Sequence, residues 1–282
     1  MLNYKRFLWA LRKIQLPVGD TAIVLDVGSG GNPHPRSDVL LDRLTGSEHR
    51  SGTPMLIDRP AVIGDATKLP FKDKSFDFVI ASHILEHMPN PEIFIAELQR
   101  VGKAGYIETP NFICERFIPC EAHCLEIGLT EDALQIHKKS AYCEDEYMGK
   151  LGFLNRNNDW SNLYFSDPSM FHVRYFWKDE IKFKIQNPEV SCDWIEEIYK
   201  NSSSTEEVID NAPRRMGWRS LGSSLYESIQ RRRRAKRLKN FNIFSILACP
   251  ECKGDLQKSE GRLYCTHCEM DYVTSPFPNF EK

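Results

Sequence analysis

Long apolar runs are missing from this 282-residue chain, and no stretch approaches the roughly 18 apolar residues of a membrane-crossing helix. Net charge is nearly missing as well. Against 37 Lys and Arg stand 39 Asp and Glu, a balance of −2. With no global field toward nucleic acid or membrane, only local charge argues for either. No internal repeat is present. The basic N-terminal stretch, Met1–Pro17, lacks the unbroken apolar core of a secretory signal, because Arg12 and Lys13 interrupt it. Phe7, Leu8, Leu11 and Ile14 recur there at helical spacing, which predicts a helix packed on the domain, with an interfacial membrane helix as the sharper alternative. Cysteine is not scarce, but a spread framework of disulfides is. Of nine cysteines, four form two close pairs in the last 34 residues and five are scattered singly, which points to a reducing, cytoplasmic setting.

What is present is an ordinary globular composition, 41% hydrophobic and 27% charged, long enough for one catalytic-size domain plus something small. Short apolar strands are predicted at Ile23–Val27, Val39–Leu41, Ala61–Ile63, Phe76–Ala81 and Gly105–Glu108. The clearest helix is Pro91–Arg100, opened by proline and amphipathic through Ile93, Phe94 and Leu98. This alternation predicts a parallel sheet with helices on its faces. Residues 111–188 are less regular, rich in aromatics and His, and are expected to complete the sheet and cover the site. Pro213–Asn240 holds ten Lys or Arg against one acid, Glu227, and reads as a linker or exposed helix. The expected organisation is therefore a domain over 1–212, a basic linker or helix over 213–244, and a separate unit over 245–282.

The turn Gly28-Ser29-Gly30-Gly31-Asn32-Pro33 follows the first strand and lets backbone approach a ligand closely. A dinucleotide fingerprint would end in glycine at the start of a helix, but Pro33 stands there. Asp26, two residues before Gly28, suits a cationic ligand better than a pyrophosphate. Asp42 ends the second strand, where its carboxylate can accept the hydroxyls of a ribose. Asp65 follows the third, where it can accept an exocyclic amine. All three acids fall at carboxyl ends of strands, the edge at which open α/β sheets bind ligands.

These residues resemble the class I S-adenosylmethionine-dependent methyltransferases, in particular the type 11 group. The resemblance rests on Leu25-Asp26-Val27-Gly28-Ser29-Gly30, Leu41-Asp42, Gly64-Asp65-Ala66 and the run from Leu69 to Val79. It continues through Ser82-His83-Ile84-Leu85-Glu86-His87 and the helix opened by Pro91. It implies an α/β fold, a seven-stranded Rossmann-like sheet with helices on both faces, and S-adenosylmethionine as methyl donor. By that match Asp26 and Gly28 face the methionine end, Asp42 the ribose, and Asp65 with Ala66 the adenine, with Gly30 and Ser82 completing the cofactor set. One departure is plain. Only 15 residues separate Asp26 from Asp42, and two prolines cut the usual first helix to about one turn at most.

Methyl transfer from a sulfonium needs alignment, and a base where the acceptor loses a proton. The amine-methylating signature Asn/Asp-Pro-Pro-Tyr/Phe is absent, since Ala81-Ser82-His83-Ile84 occupies its place. His83, His87 and His123 offer imidazoles, and Glu86 and Glu108 carboxylates. His83 directly follows the fourth strand and is the candidate base, expected as neutral imidazole. Tyr106-Ile107-Glu108-Thr109-Pro110-Asn111, His123 and the run Phe171–Trp177 resemble methyltransferases found with bacterial surface-polysaccharide genes, which implies a glycan or small-molecule hydroxyl as acceptor. Cys114, Cys120, His123 and Cys124 suggest a second metal site without paired spacing.

Cys249-Pro250-Glu251-Cys252 and Cys265-Thr266-His267-Cys268 form C-x2-C-x12-C-x2-C, a spacing for tetrahedral structural zinc. So short a tail has little core, and metal is a source of its stability. The segment resembles the small zinc-ribbon activator subunit of tRNA, rRNA and release-factor methyltransferases, which implies RNA or a translation factor as a rival acceptor. Because the two cores are separate in sequence, metal loss is expected to loosen the tail and leave the larger domain folded. The run Arg231–Arg237 reads as a solvated linker, an RNA phosphate contact or an anionic membrane contact. A non-catalytic methyltransferase-fold scaffold is the third alternative.

Overall fold

Three short hydrophobic stretches set the fold: Val24–Val27 (β1), Val39–Asp42 (β2) and Ala61–Ile63 (β3) are buried along their whole length. Strands buried on both faces belong to parallel sheets. β1 pairs parallel with β2, and β2 with β3. Phe78–Ser82 (β4), Ala104–Pro110 (β5) and, much later, His172–Lys178 (β8) extend the sheet to six strands in the order β3-β2-β1-β4-β5-β8. The computed structural model describes residues 4–5, 9, 16–43, 46, 54–142, 162–164, 166–202 and 218–281. Phe7, Leu8, Leu11 and Ile14, the expected N-terminal helix face, lie outside the described residues. Among the described residues no helix is long and apolar enough to cross a membrane.

The chain forms two compact units, one from residues 17–80, 96–105 and 204–282, the other from 1–16, 81–95 and 106–203. In the first, residues 28–38 form turns instead of a helix. Side chains hold that backbone in place of helical hydrogen bonds. Asp26 Oδ2 accepts from the His34 amide at 2.7 Å, and buried Arg36 donates to Asp38 at 2.8 Å and to the carbonyls of Gly19 and Ala22. The helix Trp218–Arg237 contributes Arg237, which donates to the fully buried Asp38 at 2.6 Å, and Arg234, 3.2 Å from Asp58.

The C-terminal segment folds as an antiparallel meander, Gln257–Ser259 (β10), Arg262–Cys265 (β11) and Met270–Val273 (β12). It does not stand apart from the body. The Ile63 amide donates to Pro278 O at 2.9 Å, and the Phe280 amide to Ile63 O at 2.9 Å, so the tail adds to the β3 edge. Lys72 and Ala248 exchange backbone hydrogen bonds with Ile246 and Pro70 at 2.8 and 3.0 Å. Lys253 reaches Glu97, whose carboxylate also takes the Arg100 guanidinium. The expected independence of the tail is thereby corrected: a cysteine spacing shows how the ribbon closes on itself, not that it folds back on β3.

The second unit holds a three-stranded sheet of its own, within the stretch whose sequence is less regular. Leu125–Thr130 (β6) and Ala133–Lys138 (β7) pair antiparallel, and Phe183–Ile185 (β9) pairs parallel with β7. Leu125, Ile127, Leu134 and Ile136 bury one face, a period-two pattern typical of strands.

Candidate active site

Parallel pairing of β1, β2 and β3 brings their carboxyl ends to one edge, and with them Asp26, Asp42 and Asp65. The loop after β1 turns on Gly28 and Gly30, whose φ angles of 70° and 52° lie in the left-handed region open to glycine. The amides of Gly28 and Ser29 both donate to Leu41 O, and the Gly30 amide donates to Asp42 Oδ2 at 2.9 Å. Asp42 thus fastens the loop to the end of β2. Asp65 Oδ1 accepts from the Thr67 amide and hydroxyl, both at 2.7 Å, and Ala66 beside it is buried. Ser29 Oγ is buried with no hydrogen-bond partner among the described residues. A buried hydroxyl left unsatisfied is costly and marks a place where a ligand completes the bonding. Glycine backbone, an unsatisfied hydroxyl and three strand-end acids fit a ligand with a cationic end, sugar hydroxyls and an amine.

The other unit gathers the histidines. Ser82 ends β4, and His83 follows at φ 56° with its amide on Glu108 O at 2.7 Å. Its ring, nearly half exposed, sets Nδ1 3.4 Å from Glu86 Oε1 and Nε2 3.7 Å from Glu108 Oε1. Burial opposes charge on His83, but Glu108 and Glu86 outweigh it and raise its pKa to about 9. The resting form favoured here is imidazolium, so the neutral imidazole expected from the sequence is corrected; nothing in a linear motif placed two carboxylates around the ring. Glu108 accepts from the Tyr106 hydroxyl, which also takes Arg174 Nε at 3.0 Å. Arg174 lies over the rings of Tyr106, Phe176 and Trp9 at 5.7 to 5.9 Å. His172 packs on Trp9 at 4.7 Å and on His83 at 5.5 Å between ring centroids.

Glu86 and His87 share the single helical turn Leu85–His87. Burial holds the His87 pKa below its usual value. Burial likewise works against charge on His123, but hydrogen bonds to Cys120 and Glu115 and the Glu86 charge raise its pKa to about 10. Glu115 was not anticipated; it lies on the helix Phe112–Phe117, is buried, and also binds Lys139. Tyr199, 112 residues from His87, reaches its Nδ1 at 3.2 Å. The suggested set of Cys114, Cys120, His123 and Cys124 does not converge. Among the described residues two groups are close enough to share a metal ion: the four ribbon cysteines, and Glu86, His87 and His123. Cys124 instead packs with Cys192, whose thiol donates to Cys124 O at 3.4 Å.

In the ribbon, the sulfurs of Cys249, Cys252, Cys265 and Cys268 lie within 4.8 Å of one another, and Cys252 and Cys265 are 3.5 Å apart. A tetrahedral zinc with bonds of about 2.3 Å would set its sulfurs about 3.8 Å apart, so the set fits. The Cys268 amide on Cys265 Sγ at 3.4 Å and the Tyr272 hydroxyl near Cys249 Sγ at 3.5 Å supply the outer contacts that orient thiolates.

Residues 38–107 match the family described as methyltransferase domain, and residues 241–272 the family described as Trm112p-like protein. The first match falls on the parallel sheet and the second on the four-cysteine tail. Among similar proteins, ajmaline N-methyltransferase of Rauvolfia serpentina is 42% identical over 43 residues, 15% of this chain and 15% of its own length. The ubiquinone/menaquinone biosynthesis C-methyltransferase UbiE of Burkholderia multivorans is 33% identical over 75 residues, 25% of this chain and 31% of its own. An uncharacterized methyltransferase of Mycobacterium tuberculosis is 29% identical over 167 residues, 56% of this chain and 61% of its own. The match therefore spans less than two thirds of each of these relatives. Among solved structures, a chain from a complex of the Haloferax volcanii Trm112 methyltransferase activator is 14% identical, covering 64% of this chain and 98% of its own, with a TM-score of 0.36. A Pyrococcus horikoshii protein is 18% identical, covering 45% and 71%, with a TM-score of 0.31.

Proposed function

We propose that the protein is an S-adenosylmethionine-dependent methyltransferase that O-methylates a hydroxyl of a glycan or related metabolite. The observation that carries the activity is the shared edge of β1, β2 and β3, where Asp26, Asp42 and Asp65 stand beside a glycine turn with an unsatisfied, buried Ser29 hydroxyl. Bound there, S-adenosylmethionine supplies an electrophilic methyl group on a sulfonium. Asp42 would accept the ribose hydroxyls, Asp65 with Ala66 would meet the adenine, and Asp26, Gly28 and Gly30 the methionine end, with Ser82 assigned to the same set. Cys249, Cys252, Cys265 and Cys268 would hold one zinc. Four thiolates leave no open position, which makes that zinc structural.

A hydroxyl acceptor gives up its proton as the methyl arrives. We assign His83, held between Glu108 and Glu86, as the base that receives the proton in its neutral form, which requires the resting imidazolium to lose its own proton first. Trp9, His172 and Phe176, none of them buried, offer ring faces of the kind that pack on sugars. The named relatives include N- and C-methyltransferases, so the shared stretch supports the donor and leaves the acceptor to the residues around His83. The Trm112p-like match favours the second reading, an RNA or translation-factor acceptor.

Purified protein with methyl-labelled S-adenosylmethionine and parallel glycan and RNA extracts separates them. Label in the glycan fraction, lowered about 100-fold by His83→Ala with cofactor binding retained, is the expected result. Label confined to RNA overturns the glycan reading. Calorimetry showing no cofactor binding overturns the enzyme itself and leaves a scaffold.

A further inference from the structure

We propose that Glu86, His87 and His123 form a second metal centre, a mononuclear site for a divalent first-row transition ion such as zinc, distinct from the four-cysteine ribbon. One ligand atom from each of the three residues lies within 4.8 Å of the other two. Two imidazoles and a carboxylate are the donor set of open zinc sites, with bonds of about 2.0–2.2 Å.

Hydrogen bonds fix the tautomers of both histidines. His87 Nδ1 lies 2.7 Å from Ala122 O. A carbonyl only accepts, so Nδ1 carries the proton and Nε2 keeps its lone pair. His123 Nδ1 lies 2.6 Å from Glu115 Oε2, and the carboxylate imposes the same tautomer. Ligating histidines in metal sites donate their other N–H to a carbonyl or carboxylate in this way. The two rings meet edge to face with centroids 4.7 Å apart. Glu115 is itself fixed, through Lys139 and the Cys120 amide at 3.2 Å.

The third donor is equally constrained. Glu86 is 1% exposed. Thr109 Oγ1 donates to its Oε2 at 3.0 Å, while its Oε1 makes no hydrogen bond of good geometry among the described residues. Among the described residues His83 Nδ1 lies 3.4 Å from Oε1, and the rings of His87 and His123 add their fields to the same carboxylate. A carboxylate this deeply buried is expensive unless its charge is matched, and a cation matches it directly. Three protein ligands leave at least one coordination position open, for water or for an oxygen of a bound molecule.

The test uses the full chain with its ribbon loaded with zinc. Cobalt(II) is added while the visible spectrum is followed. The expected result is one further equivalent bound, with d–d absorption and none of the thiolate-to-cobalt charge transfer that a cysteine site gives. His87→Gln and His123→Gln should each abolish that equivalent, and Glu115→Gln should weaken it by about 10-fold or more, as outer partners of ligating histidines do. Thermal unfolding of each variant checks that it is folded. Failure of the unmodified protein to take up a second equivalent overturns the proposal without any variant. Uptake that survives in folded His87→Gln overturns it equally, since the ion would then sit elsewhere.

Discussion

Stripping metal from the four-cysteine ribbon should unfold more than the ribbon. The tail closes the β3 edge through the Ile63–Pro278 and Phe280–Ile63 backbone hydrogen bonds, and two more tie Ile246 and Ala248 to Lys72 and Pro70. Each backbone hydrogen bond is worth about 0.5–1.5 kcal/mol net. Leu247 and Phe280 are 1% and 7% exposed, and burying each contributes about 1.5–3 kcal/mol. The gross contribution is about 5–12 kcal/mol, against about 5–15 kcal/mol for the whole stability of a typical domain. A ribbon with little core of its own cannot hold these contacts once the thiolates lose their ion. Phe280 also lies beside Gly64, where an added Cβ would meet it at 3.8 Å, and Gly64 adjoins Asp65, so cofactor affinity should fall along with stability. The assay is denaturant unfolding with and without a chelator, read with hydrogen exchange of amides 61–65 and cofactor calorimetry. A chelated protein that keeps its unfolding midpoint and its protection at Ile63, while only residues beyond 249 exchange, would refute the reasoning.

Asp42→Ala and Asp65→Ala should each weaken S-adenosylmethionine by about 1–3 kcal/mol, the range for a hydrogen bond to a charged group; unchanged calorimetric affinity in both would remove them from the site. Asp42→Ala should cost more, because Asp42 also fastens Gly30. Arg237→Ala should destabilise the fold by about 3 kcal/mol, since it strips a partner from a buried carboxylate, whereas exposed Arg231→Gln should stay within about 0.5 kcal/mol. Equal unfolding midpoints for those two variants would show that the Arg237–Asp38 pair carries no weight.

Much of the sheet was legible because its strands are short, continuous and apolar, with glycine and acid punctuation. Val24–Val27, Val39–Asp42 and Ala61–Ile63 lie within a residue of their expected bounds, and Pro91–Val101 begins where proline announced it. The first helix was correctly expected to be nearly absent, since two prolines in the turn forbid it. The β6–β7–β9 sheet was less legible. Its first two strands alternate but are only six residues each, and its third strand arrives 45 residues after the second, beyond any local window. Where the ribbon would dock was illegible for the same reason, because the Ile63–Asn279 pairing leaves no local signature.

The histidine site shows where reading residues singly runs out. Its place after β4 singles out His83, but what a histidine does depends on its neighbours. Those neighbours are Glu86 three residues on and Glu108 from the adjacent strand, and together they favour charge on the ring. Glu115 fixes His123 from eight residues away, and Tyr199 meets His87 from 112. The arginine run divides in the same manner. A stripe of like charge reads as one surface, yet its helix turns Arg234 and Arg237 inward, to side-chain exposures of 7% and 5%, onto Asp58 and Asp38. Arg231 and Arg232 remain exposed. Two of the run's charges are thus spent inside the protein, and an RNA or membrane partner would meet a weaker patch than the sequence advertises. That weakens the argument for an RNA acceptor from charge, and leaves it resting on the Trm112p-like ribbon alone.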